Sequence, residues 1–158
     1  MLIELTKGMQ AVIDDEDYEL IRPYKWFAIP KGKTAYAIGY RHGFSTGKRV
    51  SMHAVLNPEF ELTDHANGNG LDNRRVNLRE ATKSQNAANC RHKSTSGFRG
   101  VCWHKRRQRW TVQLKLNYRN ILYAHFDAKE EAAREYDKVA KEVFGEFACL
   151  NFPEEKDS

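Results

Sequence analysis

Short apolar runs broken by polar turns fill the chain from Leu2 to about Leu62, with one stretch of helical character among them. Residues 14–21, DDEDYELI, load acids where a helix N-terminus favours them, and Pro23 with Tyr24 marks the end of that helix. Residues 26–29, 34–41 and 48–53 read as strands separated by Gly and Lys turns. Trp26, Phe27, Tyr36 and Tyr40 are assigned to the core or to sheet packing rather than to a base-stacking platform. After His53 the pattern changes. Residues 62–65 are short and extended, Asn67-Gly68-Asn69-Gly70 tolerates the positive φ of a tight loop, and residues 82–88 are helix-compatible behind a Thr or Ser cap, which predicts hairpin, loop, helix.

Residues 89–96 lack apolar periodicity and read as a linker. Three strands follow at 98–104, 109–116 and 121–126. In the second, Trp110, Val112, Leu114 and Leu116 alternate with Thr111, Gln113 and Lys115, giving one apolar and one polar, basic face. A helix over 128–144 is expected to start at a capping-box-like Asp127 and Glu130 and to stop at Gly145. Its stripe of Ala132, Ala133, Tyr136, Val139, Ala140, Val143 and Phe144 supplies the surface on which the apolar sheet face packs.

At 158 residues the chain is one large domain or two small ones, and two small units fit the pattern better. No apolar run is long enough for a membrane span, and the acidic segment Asp14 to Asp17 is unlike a signal or transit peptide, so a cytoplasmic protein of a bacterial or phage-infected cell is expected. Cys90, Cys102 and Cys149 are odd in number and widely spaced, which suits neither a disulfide framework nor a zinc site. The net charge of +5 is unevenly placed. From Ala81 to Phe126 there are ten Lys and Arg and no acid, whereas the rest of the chain holds sixteen bases and twenty-one acids. Interleaved with Trp103, Trp110, Tyr118 and Tyr123, that patch favours a polyanionic partner, with nucleic acid first.

Candidate chemistry lies in DHANGNGLDNRRVNLREATKSQN, residues 64–86. Taken singly, its Asp, His and Asn residues are turn and cap residues; their joint spacing is what a one-metal phosphodiesterase site needs. Asp64 and the amide oxygen of Asn86 are hard oxygen donors suited to one Mg²⁺ or Mn²⁺ ion, and His65, with an ordinary pKa near 6.5, suits a general base. Asn77 is placed to lock the loop and the imidazole. Asp72 is a second-choice ligand beside a more natural turn reading. Arg74, Arg75 and Arg79 are either solvated charges or phosphate clamps, with clamps preferred beside the site.

This constellation resembles the HNH, or ββα-metal, nucleases, and among them the homing endonucleases of phages and mobile introns. The resemblance implies Asp64 and Asn86 as metal ligands, His65 as general base and Asn77, followed by Leu78, as the central Asn that constrains the loop. Ala54 and Ala66 depart from the usual Arg and Ile, and the segment between His53 and Asp64 looks shortened.

Residues 96–153 resemble an AP2 DNA-binding domain through Gly97-Phe-Arg-Gly-Val101, Trp110, Phe126-Asp127, Glu131-Ala-Ala133, Tyr136-Asp137 and Leu150-Asn-Phe-Pro153. That resemblance implies DNA-facing positions for Arg99, Gly100, Gln113 and Lys115, with contributions from Trp103, Arg106, Arg109 and Arg119. Trp103 stays open between contact with a base face and packing. Cys102, Asn120, Leu122 and Ala124 depart from plant members, so the plant target sequence does not carry over.

The expected fold is α+β: a strand-rich N-terminal extension (1–52), a ββα-metal HNH unit (53–89), a linker (90–95), an AP2 domain of three antiparallel strands packed on one helix (96–153), and a tail (154–158). The expected function is metal-dependent hydrolysis of duplex DNA by a homing-type endonuclease, probed against a catalytically inactive AP2-type regulator and, third, a basic RNA-binding protein. One Mg²⁺ or Mn²⁺ per site, no zinc, no small-molecule cofactor, no membrane and a monomer complete the expectation.

Overall fold

The computed structural model describes residues 1–41, 49–89 and 94–153. Packing divides the chain into two compact units, Met1–Thr82 and Lys83–Ser158.

In the first unit β1 (Leu2–Glu4) pairs antiparallel with β2 (Gln10–Val12). The acid-rich segment forms a 3-10 turn over Asp15–Asp17 that runs into α1 (Tyr18–Ile21). β3 (Tyr24–Lys31) and β4 (Thr34–Arg41) form a long antiparallel hairpin in register from Tyr24↔Arg41 to Lys31↔Thr34, turned by Gly32 at φ 63°. β5 (Val50–Ser51) adds to β4, and α2 (Met52–Leu56) follows at once. The strand expected over 48–53 is therefore corrected: Lys48 lies outside the described residues, and His53 is helical. Met52 and Leu56, four apart, are both buried, and burying both on one side requires a helical turn. β6 (Thr63–His65) and β7 (Leu78–Glu80) form the second hairpin.

One core joins these pieces: Leu5, Ala11, Ile13, Ile21, Trp26, Ala28, Ala37, Met52, Leu56 and Leu78. The Trp26 indole donates to the Ile21 carbonyl at 2.9 Å, so its one polar atom is satisfied inside that core. The loop between β6 and β7 is sewn onto β2 on both sides of Asp72. Val12 N donates to Leu71 O at 2.8 Å, and Asn73 N donates to Val12 O at 2.7 Å. Asp17, 1 % exposed, is held by the Arg75 guanidinium, which ties the 3-10 turn to the same loop.

The second unit contains α3 (Lys83–Ala88), the antiparallel sheet β8 (Val101–His104), β9 (Arg109–Leu116) and β10 (Arg119–Phe126) in the order β10-β9-β8, and α4 (Lys129–Phe144). α4 lies against all three strands. Ala132, Ala133, Tyr136, Ala140 and Phe144 are buried together with Val101, Val112 and Leu114, as the apolar stripe predicts. The alternation in β9 holds with one exception: Thr111, on the polar face, is only 3 % exposed and its hydroxyl meets His125 Nδ1 at 2.9 Å. The expected capping box is absent. Ala128 is the N-cap with no side-chain bond, because the Asp127 carboxylate instead takes two hydrogen bonds from Arg109, both 2.8 Å. Gly145, at φ 54°, ends the helix where expected. Among the described residues no helix is long and apolar enough to cross a membrane.

Candidate functional site

The β6–β7 hairpin places Asp64 opposite Arg79 and His65 opposite Leu78. Asp64 and His65 are 4 % and 5 % exposed, so a carboxylate and an imidazole stand side by side with little water around them. Burial of this kind requires partners. The Asp64 Oδ2 atom accepts from Arg79 Nε at 3.0 Å and ion-pairs with its Nη2 at 2.9 Å. Arg79 is thus neither a solvated charge nor a clamp extended from the surface; it is a cross-strand counter-ion.

The twelve-residue connection from β6 to β7 is held by amides. Asn77 Oδ1 accepts from Asn67 N at 2.9 Å, and its Nδ2 donates to Asp72 O at 2.7 Å, so this side chain closes the loop across its base. Asn67 Nδ2 donates to Asp72 Oδ2 at 2.9 Å, while Arg74 forks onto the same carboxylate at 2.8 and 2.7 Å. The Arg74 contact is the main reason the Asp72 carboxyl lies below its usual range. Asp72 is therefore built into the loop, in accord with its turn reading. Gly70 lets the loop approach β4: its N–H donates to Thr34 Oγ1 at 2.9 Å, and a Cβ there would meet Ala35 O at 2.6 Å.

Around His65 the structure adds residues that the spacing did not single out. Asn73, 1 % exposed, places Oδ1 3.3 Å from His65 Nε2. The rings of Tyr36 and His53 meet the His65 ring edge-on, at centroid distances of 5.7 and 5.2 Å. His53 Nε2 in turn meets Ser51 Oγ at 3.0 Å. Desolvation is the larger influence on both imidazoles. It lowers His53 to about 4, assisted by the neighbouring His65, and it lowers His65 below 6.5 against the opposing pull of Asn73, Asp64 and Asp72. The lowered pKa favours the neutral imidazole, the state a proton acceptor needs. Asn73 had been legible only as the second residue of an Asp-Asn turn. No periodic signal pointed to His53 or Tyr36 as neighbours of His65.

Asn86 lies within α3, in the second unit, and is half-buried. Of the expected DNA-facing residues, Gln113 and Lys115 share the polar face of β9 and are exposed, as are Arg106 in the β8–β9 turn and Arg119 at the start of β10. Trp103 is paired with Trp110 across the strands, at a ring distance of 5.1 Å, on the Val101 and Val112 side of the sheet. It therefore sits on the opposite face from Gln113 and Lys115, although it keeps 41 % exposure. Arg99 is drawn inward: Nε donates to Tyr136 Oη at 2.5 Å and Nη2 to Ala87 O at 2.8 Å. Gly100, at φ 72°, passes so close to β9 and α4 that a Cβ would meet Gln113 O at 2.8 Å and the Tyr136 ring. Arg74, Arg75 and Arg109 are all half-exposed and ion-paired, with Asp72, Asp17 and Asp127 respectively.

Residues 60–88, which span β6, the amide-held loop, β7 and α3, match the family model described as HNH endonuclease. The chain is 29 % identical over 148 residues to an uncharacterized HNH endonuclease, L560, of Acanthamoeba polyphaga mimivirus, covering 92 % of this chain and 76 % of that protein. It is 30 % identical over 93 residues to protein 3.8 of Escherichia phage T7, covering 58 % of this chain and 76 % of that protein. No solved structure matches the chain significantly. The likeness to HNH endonucleases thus rests on residues 60–88 and on the mimivirus relative.

Proposed function

We propose that this protein is a divalent-metal-dependent, homing-type endonuclease that hydrolyses phosphodiester bonds in duplex DNA, with an AP2 domain over residues 96–153 supplying affinity and register. The observation that carries the reading is the buried Asp64–His65 pair on β6, closed in by a loop that Asn77 locks.

In the proposed reaction His65 takes a proton from the attacking water, a step that contributes about 10²- to 10⁴-fold in rate. The lowering of its pKa by burial and its enclosure by rings suit that role. Asp64 and Asn86 would hold one Mg²⁺ or Mn²⁺ ion. The donor set fits a hard cation: one carboxylate and one amide oxygen, with water and phosphate completing the shell. The buried Asp64 carboxylate is already matched to a cation, the Arg79 guanidinium. Among the described residues no three His, Cys, Asp or Glu side chains gather into a group that could hold a metal ion, so the proposed ion depends on the mixed carboxylate and amide set. When bound, the divalent ion supplies Lewis-acid stabilisation of charge on the phosphate and the departing 3′ oxygen.

The β8–β10 sheet covered on one face by α4 supports the AP2 reading. Its open face presents Gln113 and Lys115, and a small antiparallel sheet of this kind can enter a major groove. Arg106, Arg109 and Arg119 are proposed to add phosphate contacts, and Arg74 and Arg75 to do so beside the cutting site. Trp103, which packs against Trp110 yet keeps 41 % exposure, and Arg99 and Gly100, at the close contact of the sheet with α4, are proposed as further DNA-binding residues.

The test is cleavage of duplex DNA from the gene's insertion locus. Nicking that needs Mg²⁺ or Mn²⁺, stops in EDTA, and is lost in His65→Ala while DNA binding is kept supports the proposal. Binding without cutting under any divalent metal supports the catalytically inactive regulator instead, and preference for RNA over DNA of equal length the RNA-binding reading.

A further inference from the structure

We propose that Asn73 is a positioning residue that fixes the tautomer of His65, placing the ring proton on Nε2 and leaving the lone pair on Nδ1. The inference relies on the nuclease reading only for what that lone pair does; the tautomer itself is a property of the folded loop.

The argument begins with the Asn73 amide. Its two ends are chemically distinct, one donating and one accepting, and only their surroundings tell which is which. Here the surroundings decide. Asn73 Nδ2 lies 3.3 Å from Leu71 O, a carbonyl that can only accept, so the nitrogen end of the amide must face Leu71. The oxygen end then faces His65 Nε2, at 3.3 Å. An amide oxygen cannot donate. The contact is a hydrogen bond only if Nε2 carries the proton, and a neutral imidazole carries one proton, so the lone pair of the neutral ring is on Nδ1.

The backbone leaves the amide little freedom to turn round. Asn73 is 1 % exposed, and its N–H is fixed to Val12 O at 2.7 Å. The imidazole is confined as well, between the Tyr36 and His53 rings, which meet it at 73° and 83°. Asn77, the residue that the spacing singled out for the imidazole, has both ends of its amide engaged with Asn67 N and Asp72 O. Two asparagines thus share the work expected of one: Asn77 closes the loop and Asn73 sets the proton.

The tautomer can be read without any cleavage. In long-range ¹H–¹⁵N spectra of the full chain at neutral pH without metal, His65 Nε2 is expected in the protonated range and Nδ1 in the unprotonated range. Asn73→Ala should mix the tautomers. In cleavage, Asn73→Ala should lower kcat by about 10²-fold, the lower end of a general-base contribution, with KM little changed. A wild-type spectrum with the proton on Nδ1 would overturn the proposal even if Asn73→Ala proved unable to fold. So would an unmixed wild-type pattern in a folded Asn73→Ala. Should wild type and His65→Ala both prove inert toward DNA, the nuclease reading fails while the spectra still decide the tautomer.

Discussion

His53 shows how one side chain couples the site to stability. Burial and the adjacent His65 lower its pKa to about 4, whereas in the unfolded chain it regains an ordinary value of 6.5. Between those values the unfolded chain binds the extra proton, so stability is fully present above pH 6.5 and is lost as the pH falls toward 4. Urea titrations should show the wild type losing on the order of 3 kcal/mol at most across that window through this group, and His53→Phe, which keeps a ring there, should flatten the loss. An unchanged pH slope in the variant would exclude His53 as the source. Asn77→Ala should remove both closing bonds of the loop and cost about 1–3 kcal/mol, read by the same titration. The residues of the proposed chemistry were legible because Asp64, His65, Asn77 and Asn86 stand at fixed spacings along the chain. Asn73, His53 and Tyr36 were not, because their proximity to His65 arises only when α2, β4 and the loop pack together.

At the scale of elements, the β6–β7 hairpin carries one buried cross-strand ion pair, Asp64–Arg79, beside the proposed metal site. Arg79→Ala would leave the buried Asp64 carboxylate without its counter-ion, at a cost of about 3 kcal/mol. If Asp64 is a metal ligand, Mg²⁺ should raise the Tm of Arg79→Ala by more than that of wild type, since the ion takes over a carboxylate that the arginine has vacated. Equal shifts in calorimetry would count against Asp64 as ligand. The strands of the second unit were legible to within a few residues, because alternation in β9 and the alanine stripe of α4 each mark one buried face. The α2 helix was not: five residues directly after a two-residue strand are too few to display a period. The missed cap of α4 has a different cause, since Asp127 was engaged by an arginine eighteen residues earlier on the neighbouring strand.

For the whole molecule, the uneven charge becomes a binding prediction. The acid-free window from Ala81 to Phe126 lies almost wholly in the second unit, so removing residues 96–158 should weaken duplex binding sharply and flatten its dependence on salt. Unchanged binding in fluorescence anisotropy at two salt concentrations would sink the proposed role of that unit. The changes in pattern suggest a strand-rich start, a hairpin-bearing middle and a sheet-and-helix end, whereas packing gives two units, Met1–Thr82 and Lys83–Ser158. What the pattern did not display is that the start and the hairpin share one core, which depends on contacts between residues far apart in sequence. The two backbone hydrogen bonds from Val12 to Leu71 and Asn73 have a practical consequence for anyone borrowing this motif. The segment that bears the family match is not the piece that can be moved: a graft of residues 60–88 onto a foreign scaffold carries the proposed ligands and base but leaves behind the strand to which their loop is bonded.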